Sequence, residues 1–158
     1  MYFASRVQDM HAEADYVVVF GGSNDLAEGD APLGNFGDTT PLTFYGALHD
    51  LYTRLCAKYP QATIIAITPI HRIDDEGDFV NSAGVQRIDG MRAYANAIKQ
   101  VAATFGVAVL DAYADWAIDP NDENQLKTYF CPDDLHPNDI GHQYIAERFL
   151  EYMENFKG

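Results

Sequence analysis

Two short constellations near opposite ends of the 158-residue chain carry the residue types that acyl chemistry needs. Late in the chain, Asp133 stands three positions before His136 in Asp133-Asp134-Leu135-His136-Pro137-Asn138. On a helical turn that spacing puts a carboxylate and an imidazole on one face. Asp133 then holds one ring nitrogen and leaves the other as a general base for a hydroxyl nucleophile. Early in the chain, an apolar run ends in Gly21-Gly22-Ser23-Asn24-Asp25. A rigid turn there presents the Asn24 side-chain amide to a developing oxyanion, and glycine permits the backbone angles and close approach that such a turn needs. Each segment also has a plainer reading. Asn24 or Asp25 would cap an ordinary strand-to-helix turn, and Asp133 would open a helix, with His136 incidental.

Metal binding is a third reading of the late cluster, because Asp133, Asp134, His136 and His142 are close in sequence. No matching second ligand cluster occurs elsewhere, so a metal is not expected. The serines are Ser5, Ser23 and Ser82. Ser23 lies inside the early turn, Ser5 in a predicted helix and Ser82 in a long loop without an adjacent base. None is expected to act as a nucleophile, which must lie within hydrogen-bond reach of its base. Cys131 is nearer to His136 but shares one short loop with it, and reads as a loop or packing residue. His11, His49 and His71 are isolated and read as surface or packing residues.

The elements that must position these groups alternate along the chain. Tyr16-Val17-Val18-Val19-Phe20 is β-branched and apolar on both faces, as a parallel strand covered by helices would be. Phe44, Leu48, Leu51 and Leu55 predict a helix over residues 41–58, closed by Pro60. Residues 62–67 form the next buried strand, ended by Thr68-Pro69, and a loop rich in Asp and Gly runs to about Gln86. Ile88, Met91, Ala95, Ile98, Ala102 and Phe105 mark an amphipathic helix stopping at Gly106. Residues 107–110 form a third strand, followed by Asp111. Ile145, Phe149, Met153 and Phe156 mark a last helix, with Pro137 and Asn138 as suitable start residues. This alternation predicts an α/β domain with a parallel sheet, whose ligands bind beyond the carboxyl ends of the strands.

A net charge of −14 opposes binding to nucleic acid or an anionic membrane. Hydrophobic content of 47% and aromatic content of 13% place the chain among packed globules, not disordered segments. Cys56 and Cys131 make neither a disulfide framework nor a metal motif. No run reaches membrane-spanning length and no signal-peptide pattern follows Met1, so a cytoplasmic location is expected.

Taken together, Gly22-Ser23-Asn24-Asp25 and Asp133-Asp134-Leu135-His136 resemble the third and fifth blocks of the SGNH (GDSL-type) hydrolases. The run Pro137-Asn138-x-x-Gly141-His142 and the Thr68-Pro69 pair are also similar to that family. The resemblance implies a flavodoxin-like three-layer α/β/α sandwich and an acyl-ester hydrolase with a small-molecule ester substrate and no metal or organic cofactor. By carry-over, His136 is the general base, Asp133 orients it and Asn24 contributes to the oxyanion hole. Gly22 and Asp25, beside Asn24, are expected to contact substrate. Residues 26–40 and 70–84 are expected to form the substrate rim, where loops commonly set specificity.

The family's first block, a Gly-Asp-Ser that supplies the nucleophile, has no counterpart here, nor does its second. Residues 1–158 therefore read as a single domain truncated at its N-terminus, with one or more strands missing. In the family's sheet order the missing first strand lies beside the strand Tyr16–Phe20, which is left as an unprotected apolar edge. Such an edge is prone to self-association. A degenerate, non-catalytic remnant or small-ligand-binding module of the same fold is the alternative to an esterase.

Overall fold

A computed structural model describes residues 3–73 and 75–156; Asp74, in the predicted rim loop, lies outside the described residues. In chain order the elements are α1 (Phe3–Arg6), β1 (Tyr16–Phe20), α2 (Ser23–Ala27), α3 (Phe44–Lys58), β2 (Thr63–Ile67), β3 (Phe79–Val80), β4 (Gln86–Arg87), α4 (Met91–Thr104), β5 (Ala108–Leu110), α5 (Ala112–Asp115), α6 (Glu123–Tyr129) and α7 (Asp139–Asn155). The three predicted strands form one parallel sheet in the order β1-β2-β5, flanked by helices.

The sheet's two faces are covered unequally. Val17, Ile64 and Ala66 pack in one core with Leu48 and Leu55 of α3 and Ile98 of α4, as the helical periodicities predict. On the other face, Ile67 and Leu110 pack with Trp116, Ile118 and Phe130, against Ile145 and Phe149 of α7. Register pairs Val18 with Ile65 and Phe20 with Ile67. Ile65 and Ile67 are buried, whereas Tyr16, Val18 and Phe20 are 54%, 45% and 41% exposed. Each half-exposed side chain forgoes roughly 1 kcal/mol of burial. Coverage of that face thins at β1, where Phe20 meets the edge of Trp116 with ring centroids 6.3 Å apart, and β1 is the sheet's open edge.

Local chemistry explains most helix boundaries. Thr43 Oγ1 caps α3 by accepting from the Gly46 N–H at 3.1 Å and donates to Asp38 Oδ2 at 2.8 Å. At the far end of α3, Lys58 Nζ donates to the carbonyls of Val7, Gln8 and Met10, tying the chain after α1 to the helix. Asn138 caps α7 through the N–H groups of Ile140 and Gly141, at 2.9 and 3.0 Å.

Several elements differ from the sequence-based expectation. The helix predicted from Ile88 begins at Met91, and Ile88 is 76% exposed. Residues just before α4 are drawn into a hairpin instead, because β4 pairs antiparallel with β3 within the stretch read as a loop. The helix α6 carries no buried side chain, so no apolar stripe announces it. In α7 only Gly141 is buried, and the predicted stripe of Ile145, Phe149, Met153 and Phe156 is half-buried. Among the described residues, no helix is long and apolar enough to cross a membrane.

Candidate active site

The loop between α6 and α7 is pinched shut at its base. Phe130 and Pro137 form an isolated bridge, and the Cys131 N–H donates to the His136 carbonyl at 2.8 Å. Between them Asp134 takes a left-handed φ of 57°. This is a tight non-helical turn rather than the helical turn expected for Asp133 and His136, because α7 does not begin until Asp139. The turn nonetheless joins the two residues. Asp133 Oδ1 accepts from the backbone N–H groups of Leu135 and His136, both at 3.0 Å, and Oδ2 lies 2.8 Å from His136 Nδ1. These contacts pull the Asp133 pKa down to about 2, the His136 backbone N–H being the largest cause, then the imidazole, then the Leu135 N–H. An ionised carboxylate only accepts, so Nδ1 carries the proton toward Asp133. The His136 side chain is 72% exposed, and Nε2 makes no hydrogen bond among the described residues.

Two neighbours fix this loop to the rest of the molecule. Asn138 Nδ2 donates to the carbonyls of Thr128 and Phe130 at 3.0 Å, so one side chain caps α7 and ties it to α6. At Gly141 a Cβ would lie 2.2 Å from the Tyr129 carbonyl oxygen, so only glycine lets the two helices meet here. Phe130, directly before the loop, packs with Ile67 and Leu110, the last residues of β2 and β5. The base of the loop therefore lies at the rim formed by the carboxyl ends of the strands.

The early turn reaches the same rim from β1. Gly22 has a φ of 117°, and a Cβ there would lie 3.2 Å from Pro69 Cγ, in the Thr68-Pro69 corner that follows β2. The chain enters α2 directly, with Gly22 at the N-cap and no side-chain cap bond. Neither Asn24 nor Asp25 is a cap, but the segment is a strand-to-helix turn, as its plainer reading had it. The Asn24 carbonyl accepts from the N–H groups of Glu28 and Gly29 at 2.8 and 2.9 Å. Its side chain makes no hydrogen bond among the described residues, and the residue is exposed.

Gly22, Asn24 and Asp25 line a cavity of about 650 Å³ walled by Phe44, Leu48 and Ile98. Asp25 is exposed as a residue, yet withdrawal of its carboxyl from water raises its pKa; its own backbone N–H and the Arg87 charge act in the opposite direction. Asp133 and His136 do not line this cavity. The predicted site residues thus fall into two groups, one at the cavity and one on the α6–α7 loop.

Residues without a sequence signal connect the rim. Arg72 Nη1 donates to the Ser23 hydroxyl oxygen at 3.4 Å, and the Arg72 carbonyl accepts from Asn121 Nδ2 at 3.1 Å. His71, read as isolated, has Nδ1 2.7 Å from Oδ2 of the buried Asp75 and stacks on Tyr113 with ring centroids 4.1 Å apart. The Ser82 hydroxyl donates to the Ala27 carbonyl, and the Cys131 thiol to the Pro137 carbonyl. Ser23, Ser82 and Cys131 make no hydrogen bond to the His136 ring. Among the described residues, no group of three or more His, Cys, Asp or Glu side chains is placed to hold a metal ion.

Residues 2–144 match the GDSL-like Lipase/Acylhydrolase family. The chain belongs to that family. No match is found among curated proteins. Among solved structures, a Lactobacillus plantarum protein is 36% identical with a TM-score of 0.83, over 98% of this chain and 74% of its own. A possible lipase from Chitinophaga pinensis is 21% identical with a TM-score of 0.69, over 96% of this chain and 77% of its own. An acetyl-xylooligosaccharide esterase from Geobacillus shares the fold at 23% identity and a TM-score of 0.53, over 90% of this chain and 60% of its own. The chain is thus a GDSL-like hydrolase by family, with an α/β fold shared by esterases.

Proposed function

We propose that this GDSL-like hydrolase carries the base, the orienting carboxylate and one oxyanion donor of a serine esterase acting on small carboxylic esters. The nucleophilic hydroxyl is supplied by polypeptide outside these 158 residues. The observation that carries the reading is the Asp133–His136 pair, with Nδ1 directed to the carboxylate and Nε2 left unbonded. In the reaction, His136 Nε2 takes the serine proton as Oγ attacks the ester carbonyl. The Asn24 amide donates to the oxyanion, and His136 returns the proton to the departing alcohol. Water then attacks the acyl-enzyme with His136 as base, releasing the carboxylic acid.

A net charge of −14 favours neutral esters over anionic lipids. Acetylated sugars are the first substrates to try, in keeping with the Geobacillus neighbour's own activity.

Turnover of p-nitrophenyl acetate tests the proposal, using the chain alone and the chain extended by a strand ending in Gly-Asp-Ser. The extended protein is expected to hydrolyse the ester, with His136→Ala abolishing the activity, while the chain alone is inactive. Hydrolysis by the chain alone, abolished by His136→Ala, would reveal a nucleophile within it and overturn the incomplete-catalyst reading. The second reading, a non-catalytic binding module, draws on Ser23 and Ser82 being hydrogen-bonded to other groups. An inactive extended protein that still binds esters would favour it.

A further inference from the structure

The helix that presents Asn24 has five residues, too few to hold its own geometry in water. Its carbonyls are taken by a hairpin about sixty residues further along the chain. Arg87 of β4, 4% exposed, donates from Nε to the Leu26 carbonyl at 3.3 Å and from Nη2 to the Asp25 carbonyl at 3.2 Å and the Gly29 carbonyl. Asn81, 6% exposed, gives its amide to the same Leu26 and Gly29 carbonyls at 3.2 and 2.8 Å. Its Oδ1 is meanwhile held by the N–H groups of Ala83 and Val85, both at 3.0 Å, which makes it part of the hairpin's own turn. The Ser82 N–H donates to the Ala27 carbonyl at 3.0 Å.

A buried guanidinium is costly to desolvate. Here it faces the carbonyls at the end of α2, where a positive charge opposes the helix dipole favourably. At the opposite end, Gly22 abuts Pro69, so α2 is held at both termini. An oxyanion donor works only if it is fixed before charge develops, and small displacements are expensive.

We propose that Arg87, seconded by Asn81, is a positioning residue that sets the orientation of Asn24 by clamping the end of α2. The catalytic meaning of the clamp rests on the oxyanion reading of Asn24; its physical existence does not. The Glu28 and Gly29 amides report on it directly, since both donate to the Asn24 carbonyl.

The test is hydrogen exchange and nitrogen-15 NMR on the full chain carrying Arg87→Lys, with Asn81→Asp as a second variant. Lysine keeps the charge but not the fork. Aspartate keeps the acceptor that closes the hairpin turn but loses the donor. Each substitution is expected to speed exchange at Glu28 and Gly29 by about tenfold or more and to shift the Asn24 side-chain amide signals. Amides of Leu51 and Tyr52 in α3 should stay within about twofold. Unchanged exchange in α2, or equal acceleration in α2 and α3, would overturn the clamp. Asn24→Ala in the extended, ester-hydrolysing protein tests the other half. If activity survives that change while the exchange result holds, the oxyanion reading falls and the clamp stands.

Discussion

Oδ2 of Asp133 lies 2.8 Å from Nδ1 of His136, while its other oxygen is occupied by the backbone N–H groups of Leu135 and His136. The carboxylate thus organises both the imidazole and the turn that carries it. Because it is bonded chiefly through backbone, its ionisation does not depend on the imidazole alone.

Asp133 should titrate near pH 2, as followed by carbon-13 NMR of its carboxyl. The folded pKa is depressed, so its stabilising contribution is present above the ordinary carboxylate value of about 4 and is lost as pH falls through about 2. His136→Ala removes the imidazole but keeps the backbone N–H, the largest cause of the shift. The variant's Asp133 pKa should therefore rise only part of the way. A midpoint back at the ordinary value would show that the turn is not held by backbone.

Gly141→Ala would place a Cβ 2.2 Å from the Tyr129 carbonyl oxygen and 2.9 Å from Pro137 Cβ. Backbone cannot yield as a flexible side chain can, so α6 and α7 must separate. We expect a loss of about 2 kcal/mol and a fall in Tm of about 4–8 °C in thermal denaturation. An unchanged Tm would mean that the two helices are not in contact as described.

The open edge at β1 should cause the chain by itself to self-associate, since Val18 and Phe20 are exposed on a strand with unpaired backbone. Sedimentation velocity at micromolar concentration should show species larger than the monomer. Val18→Lys places a charge on the exposed face and should shift the distribution toward monomer. A single monomeric boundary for the unaltered chain would refute self-association.

Among the described residues, the buried Tyr94 hydroxyl has no hydrogen-bond partner, and burial raises its pKa. Removing a polar group that is already unsatisfied costs nothing in hydrogen bonding. Tyr94→Phe should leave stability unchanged or raise it by up to about 1 kcal/mol in urea denaturation. A loss of that size would reveal a partner for the hydroxyl.

What could be read from the sequence was local. The β-branched run at Tyr16–Phe20 and the 3,4-spaced apolar residues of α3 and α4 encode periodicity, and periodicity survives tertiary packing because the core faces are continuous. The Asp133–His136 pair was equally legible, since residues three positions apart are close enough for a tight turn to bring their side chains together. Asn138 as a cap follows from its type and place.

Tertiary structure alone decided the rest. Arg87 and Asn81 act on main-chain carbonyls of α2, and a carbonyl has no residue type, so no sequence motif marks its partner. His71 and Asp75 are four residues apart, but the burial of Asp75 and the contact of the His71 ring with Tyr113 of α5 come from packing against distant sequence. Ile65 and Val18 look alike in sequence and sit side by side in the sheet, yet one is buried and the other exposed. The difference is lateral coverage, set by where helices of distant sequence lie across the sheet, and no local pattern carries that information.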